Sequence, residues 1–187
     1  MGKVIFHMAM SLDGFVAASN GDESSLHLNL GDEPYGLLQD MIKTTGAVVM
    51  GKRAFEMAEP DWYVDNYEYQ VPIFVVTHTA PEKQPKQDDH LSFTFVTTGL
   101  ANAIQQAKQA AADQQVTVIG GANIAQQGIR SRLFDEIIVS VAPVLLGEGL
   151  RLFDHLGGKP IVLQRVKVIE SAARTDLWFR LPPGPEL

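Results

Sequence analysis

The chain has 187 residues, 45% of them hydrophobic and 20% charged, with a formal charge of -7 and no cysteine. That length and composition suit one globular domain with a sizeable core. They exclude disulfides, thiolate metal sites and cysteine nucleophiles, and the acidic balance argues against a general nucleic-acid surface.

Lys3 to Met10 is apolar on both faces apart from Lys3 and His7, which predicts a central strand. Ser11-Leu12-Asp13-Gly14 ends it. His7 in such a strand is expected to be a satisfied core residue rather than a catalyst. Asp13 is either a turn former, since Asp-Gly is a strong turn pair, or a carboxylate that orients a substrate or passes a proton. Ser11 and Ser25 lack a nucleophile-elbow context. The next twenty or so residues lack periodicity and predict a long loop. Leu37, Leu38, Met41 and Ile42 then mark a short amphipathic helix.

Gly46 to Met50 predicts a second buried strand running into Gly51-Lys52-Arg53, with a helix start near Ala54. Lys52 and Arg53 suit a phosphate, the Arg through a fork and the Lys as a point charge, or they are a solvated basic pair. Glu59 to Tyr69 is acidic and aromatic. Trp62 and its neighbouring tyrosines either wall a flat substrate or pack on the core. Val71 to Thr77 is a third strand with Pro72 at its start, closed by Thr77-His78-Thr79. These three offer hydroxyl donors and a ring for stacking, or simply end the strand. Phe93 to Thr97 is a fourth strand, and Gly99 to Asp113 is helical.

Val116 to Ile119 is a β-branched strand that stops at Gly120-Gly121 and turns at once into a helix carrying Ala122, Ala125 and Ile129. Paired glycines there either permit tight packing alone or bring backbone close to an anion at a helix N-terminus. Phe134 to Val141 is another strand. Gly147-Glu148-Gly149 is a substrate-side loop or a turn out of that strand. Val162 to Val168 and Arg174 to Leu181 alternate and form a C-terminal hairpin, followed by a tail from Pro182.

Strands alternating with helices predict a three-layer α/β/α domain over residues 1–181, with a central mostly parallel sheet, an antiparallel C-terminal hairpin and a flexible tail at 182–187. Three strand ends, at Gly51, Thr77 and Gly120, then share the face where such sheets bind ligands. Neither a full G-x-G-x-x-G fingerprint nor a Walker loop is present. The five histidines show no metal-site spacing. No apolar run is long enough for a membrane span, and no signal-peptide pattern opens the chain, so a cytoplasmic protein is expected.

Met10-Ser11-Leu12-Asp13-Gly14, Val49-Met50-Gly51-Lys52-Arg53, Val118-Ile119-Gly120-Gly121-Ala122 and Leu145-Leu146-Gly147-Glu148-Gly149 resemble the dihydrofolate reductase-like superfamily. Within it they look most like the RibD C-terminal domain family of riboflavin biosynthesis reductases and its stand-alone relatives. The resemblance implies NADPH as hydride donor. It implies Gly51, Lys52 and Arg53 around the 2′-phosphate, and Thr77, His78 and Thr79 on the adenosine side. Gly120, Gly121, Ala122, Asn123 and Ile124 would hold the pyrophosphate, with Ala9 and the loop after Asp13 near the nicotinamide. It further implies a cis bond between Gly120 and Gly121, a small-molecule substrate and a homodimer. Two positions depart from the pattern. A carboxylate on the first helix is represented only by nearby Asp32 or Glu33, and Ile119 stands where riboflavin-type reductases commonly carry Glu. The expected function is an NADPH-dependent reductase of a small pterin-, folate- or ribityl-pyrimidine-like heterocycle, catalysed with Asp13. The alternative is a non-catalytic NADPH-binding sensor or scaffold.

Overall fold

Each long apolar run becomes an element close to its predicted bounds in the computed structural model, which describes residues 2–26 and 36–182. In chain order these are β1 (Val4–Ser11), β2 (Phe15–Ala17), α1 (Gly36–Thr44), β3 (Thr45–Gly51), α2 (Lys52–Phe55), α3 (Tyr63–Asn66), β4 (Ile73–Val76) and β5 (Phe93–Val96). There follow α4 (Leu100–Ala111), β6 (Gln115–Ile119), α5 (Ala122–Arg130), β7 (Glu136–Ala142), β8 (Leu150–Arg151), β9 (Gln164–Glu170) and β10 (Thr175–Arg180). The central sheet is mostly parallel with flanking helices, and it ends in an antiparallel C-terminal hairpin.

The contacts divide the chain into two compact units, Met1–Ile5 with Tyr35–Gly120, and Phe6–Pro34 with Gly121–Leu187. In the first, the strands stand in the order β5-β4-β3-β6, and every one of these pairings is parallel. β3 is buried along nearly its whole length, which is why it reads as an unbroken apolar run rather than an alternating one. α4 covers this sheet with Leu100, Ala103, Ile104, Ala107 and Ala111. Between β3 and β6 the buried Thr45 and Thr117 share a hydroxyl hydrogen bond of 2.7 Å.

In the second unit β10 pairs with β7 on one side and β9 on the other, both antiparallel. β9 is the outer strand and is mostly exposed; its alternating pattern fits either one wet face or an edge position, and the structure gives the edge. Phe6 and Phe134 stack with centroids 5.3 Å apart. α5 crosses Phe134 at Gly128, where a Cβ would lie 1.9 Å from the ring, so no larger residue fits without moving the stack. β2 was not foreseen. It lies within the long predicted loop and pairs with β8, Phe15 opposite Arg151, a partner too distant in sequence to leave a local signature.

Asp32, Glu33 and His27 lie outside the described residues, as does the tail from residue 183. Among the described residues no helix is long and apolar enough to cross a membrane.

Candidate functional site

In the first unit, parallel register sets Gly51 opposite Val76 and Met50 opposite Ile119. Lys52, Thr77 and Gly120 therefore leave the sheet from one edge, as three parallel strand ends must. Lys52 and Arg53 open α2, and both are exposed. Lys52 reaches Glu56 at 3.5 Å, with both side chains about half exposed, an arrangement that contributes little. Arg53 makes no ion pair or side-chain hydrogen bond among the described residues. With only four residues, α2 adds a small dipole, so attraction for an anion rests on the guanidinium.

Thr77 is buried. Its hydroxyl donates to the Thr79 carbonyl at 2.8 Å and accepts the Thr79 N–H at 3.2 Å. A threonine has one hydroxyl hydrogen, so Thr77 shapes the turn, and the polar groups turned outward are His78 and Thr79, both exposed. The aromatic stretch packs mainly inward: Tyr63 is buried and stacks on Phe55 at 5.4 Å, while Trp62 stays 45% exposed.

Gly120 and Gly121 both take positive φ, 84° and 69°. A Cβ on Gly120 would stand 2.6 Å from Cβ of Ala54, so this backbone comes within contact of α2 only because it carries no side chain. The expected cis bond between the two glycines is absent. Two successive positive-φ residues reverse the chain with an ordinary trans peptide. Beyond them, the side chains of Ala122 and Ile124 are buried, which leaves only their backbone to face a ligand. Asn123 is exposed and accepts a hydrogen bond from Gln127. Gln126 was not singled out by sequence. It is buried and donates to the carbonyls of Arg151 and Leu152 at 3.2 and 3.3 Å. Its signal was a polar residue four positions after Ala122, on the apolar stripe.

In the second unit the Asp13 carboxylate is a clasp. It accepts from Ser11 Oγ at 2.6 Å and from the backbone N–H groups of Leu146 at 3.2 Å and Gly147 at 2.8 Å. The Leu12 N–H adds a bond to the Val144 carbonyl at 2.9 Å. The Ser11 hydroxyl above all, then the Gly147 and Leu146 N–H groups, hold the Asp13 carboxyl below its ordinary 3.8. The group is thus an anion with its oxygens occupied. It holds the Gly147-Glu148-Gly149 loop against the end of β1.

β1 changes character half-way. Val4, Ile5 and Phe6 are buried, whereas His7, Met8, Ala9 and Met10 are each partly exposed. His7 is hydrogen bonded as expected, through Nε2 to Ser140 Oγ at 3.0 Å, and Ser140 donates onward to Asp176 Oδ1 at 2.6 Å. Burial pushes the imidazole from 6.5 to about 4, against the pull of Asp176 and with the help of Arg174. Neither Ser140 nor Asp176 had a signal in the sequence, since their pairing depends on β7 lying beside β10.

Comparison with known proteins gives a consistent set of relatives. The family model of the RibD C-terminal domain matches residues 2–175. The uncharacterised protein YwjB of Bacillus subtilis (strain 168) is 29% identical over 154 residues, covering 82% of this chain and 84% of YwjB. A crystal structure of a candidate riboflavin biosynthesis protein from Shewanella sp. PV-4 superposes with a TM-score of 0.76 at 24% identity, over 96% of this chain and 99% of that one. A diaminohydroxyphosphoribosylaminopyrimidine deaminase/5-amino-6-(5-phosphoribosylamino)uracil reductase from Thermotoga maritima superposes with a TM-score of 0.70 at 15% identity, over 97% of this chain and 57% of that one.

Proposed function

The chain belongs to the RibD C-terminal domain family, and from that premise we propose that it is an NADPH-dependent reductase of a small pterin-, folate- or ribityl-pyrimidine-like heterocycle. One observation carries the reading: the parallel ends of β3, β4 and β6 bring Arg53, the His78-Thr79 turn and the side-chain-free backbone of Gly120 to one edge. These residues fit a phosphorylated dinucleotide. Arg53 is an uncommitted cation, and while Gly120 uses its missing side chain to pack on Ala54, the next residue, Gly121, leaves its backbone open to a pyrophosphate.

Gly51, Lys52 and Arg53 would hold the 2′-phosphate region, and Thr77, His78 and Thr79 the adenosine side. Gly120, Gly121, Ala122, Asn123 and Ile124 would hold the pyrophosphate, the last three through backbone N–H groups or, at Asn123, an exposed amide. Ala9 and the loop after Asp13 would lie at the nicotinamide end. When bound, NADPH supplies the hydride. Asp13, already an anion and already hydrogen bonded, serves turnover by positioning the loop at Gly147 rather than by giving up a proton. Exposed Val162, Val166 and Val168, on and just before β9, support a homodimer.

The test mixes the protein with NADPH and, in turn, dihydrofolate and a ribityl-aminopyrimidine, and follows the loss of NADPH absorbance. Oxidation that depends on one of them is expected. Tight NADPH binding with no oxidation across a wide panel would instead favour a nucleotide sensor or scaffold.

A further inference from the structure

The His7–Ser140–Asp176 chain has a direction. Asp176 and Ser140 are register partners on β10 and β7, and the serine's single hydrogen is spent on Asp176 Oδ1 at 2.6 Å. Its oxygen can then only accept from His7, whose Nε2 lies 3.0 Å away. Nε2 therefore carries the hydrogen. Burial and the neighbouring Arg174 disfavour a second proton on the ring, outweighing the attraction of Asp176. His7 is left with a bare lone pair on Nδ1, which has no partner among the described residues.

The position of that lone pair matters. His7 stands in the half of β1 that is partly open, two residues before Ala9 and so on the same side of the strand. Val4, Ile5 and Phe6, just before it, are closed off. We infer that His7 is a specificity-determining residue for the heterocycle, its Nδ1 accepting a hydrogen bond from a ring N–H or amino group, with Ser140 and Asp176 as the positioning residues that fix the tautomer. The inference rests on the reductase reading above. It narrows the substrate class to heterocycles that present a donor at this point, because a ring offering only a carbonyl or a methylated nitrogen leaves Nδ1 facing an acceptor or nothing.

The experiment is ¹⁵N NMR of the wild-type protein labelled at histidine, with His7 assigned through its own backbone. Free protein should show a protonated Nε2 and an unprotonated Nδ1. Addition of 6-aminouracil, which carries ring N–H and amino donors, in the presence of NADP⁺ should move the Nδ1 resonance and leave Nε2 in place. 1,3-Dimethyluracil, which has no donor, should move neither. Ser140→Ala should give a mixture of tautomers and weaken 6-aminouracil by about 2- to 10-fold, while Ser140→Thr restores both. A hydrogen on Nδ1 in the free protein overturns the proposal. So does an unmoved Nδ1 at saturating 6-aminouracil, or no 6-aminouracil binding at all. A separate fluorescence titration with NADPH judges the reductase reading. Failure there with a responsive Nδ1 would leave a heterocycle site without a nucleotide partner.

Discussion

Lys52 and Arg53 are adjacent cations in different circumstances. Lys52 leans on Glu56, while Arg53 is exposed and uncommitted. A charge-assisted hydrogen bond contributes about 1.5–3 kcal/mol, so Arg53→Ala should weaken NADPH by about 10- to 100-fold and barely alter NADH, which lacks the 2′-phosphate. Titration of wild type and variant with both cofactors reads this, and an equal loss for both would remove Arg53 from phosphate recognition. At Asp13, replacement by Asn sets an amide nitrogen against one of the donors from Ser11, Leu146 or Gly147. The loop then loses its register, and kcat should fall by about 10- to 100-fold with NADPH affinity unchanged. Wild-type kcat in Asp13→Asn would reduce the residue to a plain turn former. Both positions were legible in sequence because their signals are local: a basic pair after a strand, and Asp-Gly after another. The roles were less so. That Thr77 spends its hydroxyl on its own turn, and that Asp13 spends its oxygens on a loop some 130 residues away, are facts of folded geometry.

Elements carried by period were read well. β3, α4, β6 and α5 announce themselves through unbroken apolar runs or three- and four-residue spacing, and each falls within a few residues of its predicted place. β2 and β8 escaped because a strand of two or three residues has no period, and its only support is a remote partner. Gly128 shows the same limit within a well-read helix. The sequence marks it as a helix-weakening residue, whereas the structure gives its reason, the Phe134 ring standing where a Cβ would be. Gly128→Ala drives a methyl group into a ring that is itself stacked on Phe6. Overpacking of this kind costs about 1–3 kcal/mol, and each kcal/mol should lower Tm by roughly 2–4 °C in a chain of this size. Calorimetry on the variant decides it, and an unchanged Tm would mean that α5 slides off Phe134 without penalty.

Across the whole molecule, stability should depend on pH through His7. The folded chain holds its imidazole near 4 where an exposed one titrates at 6.5. Below pH 6.5 the unfolded chain therefore binds a proton that the folded chain refuses. The contribution is complete above about pH 6.5, falls as the pH drops toward 4, and then levels off. Asp176 and Arg174 are the charged groups acting on it, the first attractive and the second repulsive. Urea midpoints from pH 7.5 to 5 should decline in wild type and decline less in His7→Gln. Parallel curves would assign the slope to other groups.

The division of the chain also bears on its synthesis. The first unit draws almost wholly on one continuous stretch, Tyr35–Gly120, but the second needs Phe6–Pro34 to meet segments after Gly121. Ser140 and Gly147, the partners of His7 and Asp13, lie 133 and 134 residues downstream. At the usual pace of translation this gap lasts on the order of ten seconds. Throughout it, Phe6, Phe15 and Val16, all buried in the finished protein, are without the strands that cover them. A ribosome-bound chain stalled once Gly120 has emerged should thus resist protease across its middle and be cut near its start. That apolar leading segment is where a nascent-chain chaperone should bind, and uniform protection of both regions at that stage would rule this order out.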